Sequence, residues 1–136
     1  MTVWFADASV LLSREDADDD QHGAARRLLS GDAPVATLDL AYYEVSNVAV
    51  RAWRDPDAAR RLRGLVQALA DDGGLFRVDE ALAGEATVIG APRSVGLRRR
   101  LVAGARTAGA QLVSCDLPDL VSRDLALTPE QACEAR

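Results

Sequence analysis

Lysine is absent from all 136 residues; each of the sixteen positive side chains is an arginine. Mechanisms that need a Schiff-base lysine or a phosphate-binding lysine are thereby excluded. Histidine occurs once, as His22, which removes any His-clustered metal site. The two cysteines, Cys115 and Cys133, give neither a metal-ligand spacing nor a disulfide framework, and a reducing cytoplasmic compartment is expected. Aromatic residues are only 4% of the chain, so the core must be built mostly from Leu, Val and Ala. No apolar run approaches the length that spans a bilayer. The opening stretch lacks the basic leader of a signal peptide, so no membrane association is expected.

What remains is a chain that is 49% hydrophobic and long enough to form a core as one domain, residues 1–136. Its net charge of −5 argues against a general nucleic-acid surface. A local basic groove is still open, because several arginines cluster. Val3-Trp4-Phe5-Ala6-Asp7-Ala8-Ser9-Val10-Leu11-Leu12 reads as a strand buried on both faces, of the kind found inside parallel sheets. An ionised Asp7 at its end is costly unless something cationic or hydrogen-bonding meets it. Ligands collect at the carboxyl ends of such strands. The competing reading makes Asp7 the cap of the next helix or turn.

Further along, Arg14 to Asp20 is an acidic loop, either a cation site or, more ordinarily, a solvated turn with one Asp capping the helix at 22–29. Pro34 to Thr37 predicts a second strand. Thr37 or Asp39 is then placed to cap a helix holding Leu40, Tyr43, Val45, Val48, Ala49 and Trp53. Glu44 and Asn47 stand three apart on that helix and share a face. Asp55-Pro56 opens the next helix, which Asp71-Asp72-Gly73-Gly74 stops. Leu75 to Val78 predicts a third strand, followed by a weaker helix over 80–90. Ser94 caps a helix striped by Leu97, Leu101, Ala105 and Ala108. Gln111 to Cys115 is a fourth strand with Asp116 directly after it, repeating the arrangement at Asp7. A short strand over 125–127 and a capping box at Thr128-Pro129-Glu130-Gln131 complete the chain.

Strands alternate with helices throughout. The expected fold is therefore α/β, a three-layer sandwich with a mainly parallel central sheet flanked by helices. Right-handed crossovers bring Asp7 and Asp116 to one sheet edge, and Glu44 can join them. Carboxylates without His or thiolate partners are oxygen ligands suited to Mg²⁺ or Mn²⁺. A hard cation held there polarises a phosphodiester and activates water.

Three segments in this order, Phe5-Ala6-Asp7-Ala8-Ser9-Val10-Leu11, Tyr43-Glu44-Val45-Ser46-Asn47-Val48 and Ala108 to Asp116, resemble the PIN domain, and more narrowly the VapC-type ribonuclease toxins of prokaryotic toxin–antitoxin pairs. The likeness covers essentially the whole chain. It implies a Mg²⁺-dependent RNA endonuclease with a quartet of acids, three of them matched by Asp7, Glu44 and Asp116. Asn47 matches a position near the site, and Asp119 is a further candidate ligand. It also implies a homodimer and a small antitoxin partner.

The fourth acid is missing from the sequence. Counting back from Gly109 without gaps puts Arg98 at that position, and nothing acidic lies between Glu85 and Asp116. The exchange replaces −1 by +1; at ~4 Å and an effective dielectric of ~20, each charge contact is worth roughly 4 kcal/mol before relaxation. Arg98 either snorkels outward from a working nuclease or bridges Asp7 and Asp116 in the ion's place. In the second case the protein is a PIN-fold relative that binds RNA or antitoxin without cutting. A phosphoacceptor protein is a more distant third reading, since the lysine and a Gly-rich phosphate loop are both absent.

Arg93, Arg98, Arg99, Arg100 and Arg106 are candidates for RNA phosphate contacts or for a solvated helix face. Cys115 reads as a buried small residue and His22 as a surface one. Tyr42, Tyr43 and Trp53 read as core or subunit interface. A two-fold contact is expected around Leu28-Leu29 and from Tyr42 to Trp53.

Overall fold

The structure, a computed structural model, describes residues 2–77 and 96–135, with only the backbone described for 96–100. The elements are β1 (Trp4–Ala6), α1 (Ala8–Glu15), α2 (His22–Leu29), β2 (Val35–Leu38), α3 (Ala41–Arg51), α4 (Pro56–Asp71) and β3 (Leu75–Phe76). After the gap in description come α5 (Gly96–Thr107), β4 (Gln111–Val113), α6 (Pro118–Ser122) and α7 (Pro129–Glu134). The sheet order is β3-β2-β1-β4, and every pair is parallel. The carboxyl ends of all four strands therefore share one edge, the geometry expected from the alternating pattern.

Both faces of the sheet are covered, which is why the strands are nearly continuous apolar runs. Phe5 points to a layer formed with Leu38, Leu101, Ala105, Leu112 and Leu120, carried largely by α5 and α6. Trp4 and Ala6 point the other way, against Val10, Ala25, Leu28 and Ala132 of α1, α2 and α7. A third group joins α1 to the α3–α4 hairpin through Leu11, Val45, Ala49, Leu62 and Val66. Gly104 sets how closely α5 approaches. A Cβ there would stand 2.6 Å from Phe5 Cζ and 3.1 Å from Leu38 Cδ2, so any side chain would push the helix off the sheet.

The helix signals divide into kept and overturned. Asp55 caps α4, its Oδ1 accepting the N–H groups of Asp57 and Ala58, and the Thr128–Gln131 box opens α7 with both reciprocal bonds present. At α3 the expectation fails for Thr37: the cap position is Leu40, whose side chain makes no capping bond. Thr37 turns inward instead and donates to the carbonyl of Ala6, tying β2 to β1 at 2.8 Å. The helix stops at Arg51, short of Trp53. The expected strand at 125–127 shrinks to one bridge, Val113 to Leu127. β3 ends at Phe76, and Val78 and the helix expected over 80–90 lie outside the described residues.

Leu28 is completely buried within the chain, so it cannot serve the two-fold contact expected of it. His22 is half-buried rather than superficial, and its Nδ1 lies 2.8 Å from the carbonyl of Ser13, bracing α2 against α1.

Candidate active site

Parallel pairing of β1 with β4 places Ala6 beside Val113, and the ladder runs one bond further as Asp7 N–H donates to the Val113 carbonyl at 2.9 Å. Asp7 therefore meets Ser114 directly across the sheet edge. Asp7 holds the N-cap position of α1, yet its side chain caps nothing. It turns inward and is only 4% exposed. Ser114 Oγ donates to Asp7 Oδ2 at 2.8 Å, and Ser9 Oγ donates to the same oxygen at 2.9 Å. The Cys115 N–H occupies the lone pair of Ser9 at 3.0 Å, which directs the Ser9 proton at Asp7.

Ser114 also reaches Asp116. Its Oγ accepts the Asp116 N–H at 3.3 Å and lies 3.2 Å from Asp116 Oδ1. A single hydroxyl thus bridges the two strand-end carboxylates. Both serines escape a reading of acids alone. The signal was present in the spacing, however, because Asp7-Ala8-Ser9 and Ser114-Cys115-Asp116 each set a hydroxyl two residues from an Asp.

Glu44 comes from the first turn of α3, just after the carboxyl end of β2 and therefore at the same edge. Burial pushes its pKa up to about 7, with the charges of Asp7 and then Asp116 adding to the shift. Asp7 is raised to about 6, chiefly by burial and then by Asp116, while the two serine hydroxyls pull it back. Among the described residues, no arginine forms an ion pair with Asp7, Glu44 or Asp116. The edge holds negative charge that nothing described there neutralises.

The donor set is oxygen only. Asp7 and Asp116 are close enough to share a hydroxyl, whereas no three acidic, His or Cys groups among the described residues come close enough to grip a bare ion together. Mg²⁺ commonly uses one or two carboxylates and keeps several waters, so Asp7 and Asp116 would be the residues to hold it. Asn47, one turn beyond Glu44, is exposed, as is Asp119 in α6. Arg93 and the side chains of Arg98, Arg99 and Arg100 lie outside the described residues.

No protein-family model matches the sequence, and no curated protein matches it. Solved structures do match. The toxin VapC20 of Mycobacterium tuberculosis, which cleaves the sarcin–ricin loop, shares 21% identity over 83% of this chain and 89% of its own, with a TM-score of 0.62. VapBC2 of Rickettsia felis, solved on a DNA fragment from its promoter, shares 10% identity over 93% and 97% of the two chains, with a TM-score of 0.59. The chain has the PIN-domain fold of the VapC toxins.

Within this PIN fold the acidic loop makes local turns. Asp16 and Asp19 accept the backbone N–H groups of Asp18 and Gln21, and Asp18 and Asp20 face solvent. Asp16, Asp19 and Asp20 line a cleft of about 490 Å³ that reaches Ser9 and Asp116. Cys115 sits there too, its thiol pushed up to about 11, first by burial, so it is a poor nucleophile. Among the described residues no helix is long and apolar enough to cross a membrane.

Proposed function

We propose that this chain is a VapC-like, Mg²⁺- or Mn²⁺-dependent RNA endonuclease, a single PIN-type domain that works in the cytoplasm, forms a homodimer and is held in check by a small antitoxin. The observation that carries the reading is the gathering of Asp7, Glu44 and Asp116 at one sheet edge, with their mutual repulsion unrelieved by any described cation. Asp7 and Asp116 are the direct metal ligands in this reading, with Glu44 and Asp119 as outer candidates. A divalent ion bound there supplies charge to polarise a phosphodiester and acidify a water. Ser9 and Ser114 hold Asp7 by one oxygen and fix its orientation. Glu44, half-buried beside Asp7 and Asp116, is placed to hold or accept a proton from water.

The test is cleavage of single-stranded RNA in Mg²⁺, in EDTA and by Asp7→Asn. Cutting that needs Mg²⁺ and disappears with Asp7→Asn supports the reading; cutting that survives both overturns it. A second reading rests on Arg98, which stands where the family resemblance implies an acid. Its guanidinium would then replace the ion, and the protein would bind RNA or antitoxin without cleaving. Failure of wild-type protein to cut, with RNA binding retained, favours that reading.

A further inference from the structure

Two grooves border the candidate site, one through Ser9 and Asp116 and the other through Glu44, and their charge separates them. The one beside Asp116 is walled by Asp16, Asp19 and Asp20. The other, about 700 Å³, runs along α3 and α4 and is lined by Tyr42, Tyr43, Glu44, Ser46, Asn47 and Arg63. We infer that this second groove is the path of the RNA strand next to the cleaved bond, with Tyr43 stacking an unpaired base and Arg63 meeting a phosphate. The inference deepens the nuclease reading and rests on it for the position of the cut.

The chemistry of the wall carries the argument. Tyr43 is 76% exposed, so its ring offers an open face to a planar ligand. Aromatic faces bind single-stranded bases regardless of sequence. Its neighbour Tyr42 is held in place, its hydroxyl donating to Gln67 Oε1 at 2.8 Å while Gln67 donates to Asp71. Arg63 is exposed and has no carboxylate partner among the described residues, unlike Arg60 and Arg61 on the same helix. Its guanidinium is therefore available to pair with a phosphate. Asn47 adds an amide able to read a base edge. Glu44 belongs both to this groove and to the acidic edge, so a strand lying here passes the candidate metal ligands. The acidic groove repels the same strand.

A second copy of the chain is the rival occupant, because Tyr43 and Val50 are both exposed on α3. Interface centres are depleted in charge, however, and this groove mixes a carboxylate, a guanidinium, an amide and a hydroxyl.

The test compares full-length wild type, Tyr43→Ala, Tyr43→Phe and Arg63→Gln, checked for folding by circular dichroism. Cleavage kinetics and fluorescence anisotropy use a short fluorescein-labelled RNA of mixed sequence. Tyr43→Ala is expected to raise KM on the order of tenfold with kcat kept, and Tyr43→Phe to leave it unchanged. Arg63→Gln is expected to weaken binding and lower its salt slope by about one. Wild type that cuts with an unchanged KM in Tyr43→Ala overturns the groove and leaves the nuclease reading standing. Wild type that does not cut removes the nuclease reading, and anisotropy then decides: weakened binding by Tyr43→Ala supports the groove, unchanged or absent binding overturns it. Light scattering that shows Tyr43→Ala or Arg63→Gln breaking a dimer assigns the face to a second copy and also overturns it.

Discussion

Asp7 and Asp55 hold the same local position, the residue before the first turn of a helix, and do opposite things there. Asp55 is half-exposed and accepts two backbone N–H groups, the ordinary work of a cap. Asp7 is buried, caps nothing, and takes its hydrogen bonds from two serines. An exposed carboxylate at a helix start is explained by the helix. A buried one that ignores the helix, its pKa raised to about 6 by burial first and then by a second acid, is held for something else. The fold tolerates the cost at Asp7 because β1, β4 and α1 fix the side chain from three directions.

The sharpest way to break the contrast is to neutralise each Asp without removing its shape. Asp7→Asn is expected to lower RNA cleavage by roughly 10²–10³-fold, the range typical for losing one preorganised electrostatic contact. Asp55→Asn should leave both activity and stability nearly unchanged, because Asn caps about as well as Asp. Equal losses in a cleavage assay on the two variants would end the distinction.

Arg98→Asp puts an acid at the position where the family resemblance implies one. Mg²⁺ binding by calorimetry and RNA cleavage are both expected to rise, the latter on the order of tenfold, a modest part of the roughly 4 kcal/mol that one close charge contact carries at ~4 Å. Circular dichroism must first show an intact fold. If wild type already cleaves and Arg98→Asp changes nothing, Arg98 does not face the ion.

The pH dependence of stability tests the buried acids more gently. Asp7 at about 6 and Glu44 at about 7 lie above their ordinary values of 3.8 and 4.5, so the folded state prefers both protonated. Their contribution is fully present below about pH 4 and is lost as pH rises through 6 to 7. At pH 8, Asp7 alone disfavours the metal-free fold by about 3 kcal/mol. The half-buried Glu44 adds less because water screens it. Saturating Mg²⁺ at pH 8 is expected to raise Tm by about 3–6 °C in a thermal melt. The rise should shrink at pH 5 and vanish in Asp7→Asn. A Mg²⁺ response that is identical at both pH values would mean the ion binds elsewhere.

The same contrast shows how far the sequence could be read. Asp7 and Asp116 were legible because each ends a short apolar run, and a parallel sheet must bring such ends together. Asp55-Pro56 and the Thr128–Gln131 box were legible because capping depends on a few adjacent residues. The role of Ser114 was not, since it exists only once β4 lies beside β1 and sets residue 114 against residue 7. Thr37 was misread for the same reason: its hydroxyl had a local use as a cap and found a better one across the sheet. Leu28 was misassigned to the surface because a helix eight residues long shows its apolar stripe without showing what covers it; here α1, α7 and Trp4 do.

The smallest effect sharpens the comparison from the structural side. Asp55→Ala removes the oxygen that accepts the N–H groups of Asp57 and Ala58, and it also removes a 4.0 Å contact with Arg61. The exposed ion pair contributes little. The two orphaned donors then turn to water, and the expected loss is about 1 kcal/mol. Urea denaturation should show a lower midpoint with an unchanged slope, because α4 still packs Leu62 and Val66 into the same core. RNA cleavage below the melting range should be untouched, since Asp55 neither touches the carboxylate edge nor shares a hydrogen bond with it. If Asp55→Ala instead loses activity in step with Asp7→Asn while staying folded, the helix cap and the buried carboxylate act as one unit, and their separation into structural and functional acids is wrong.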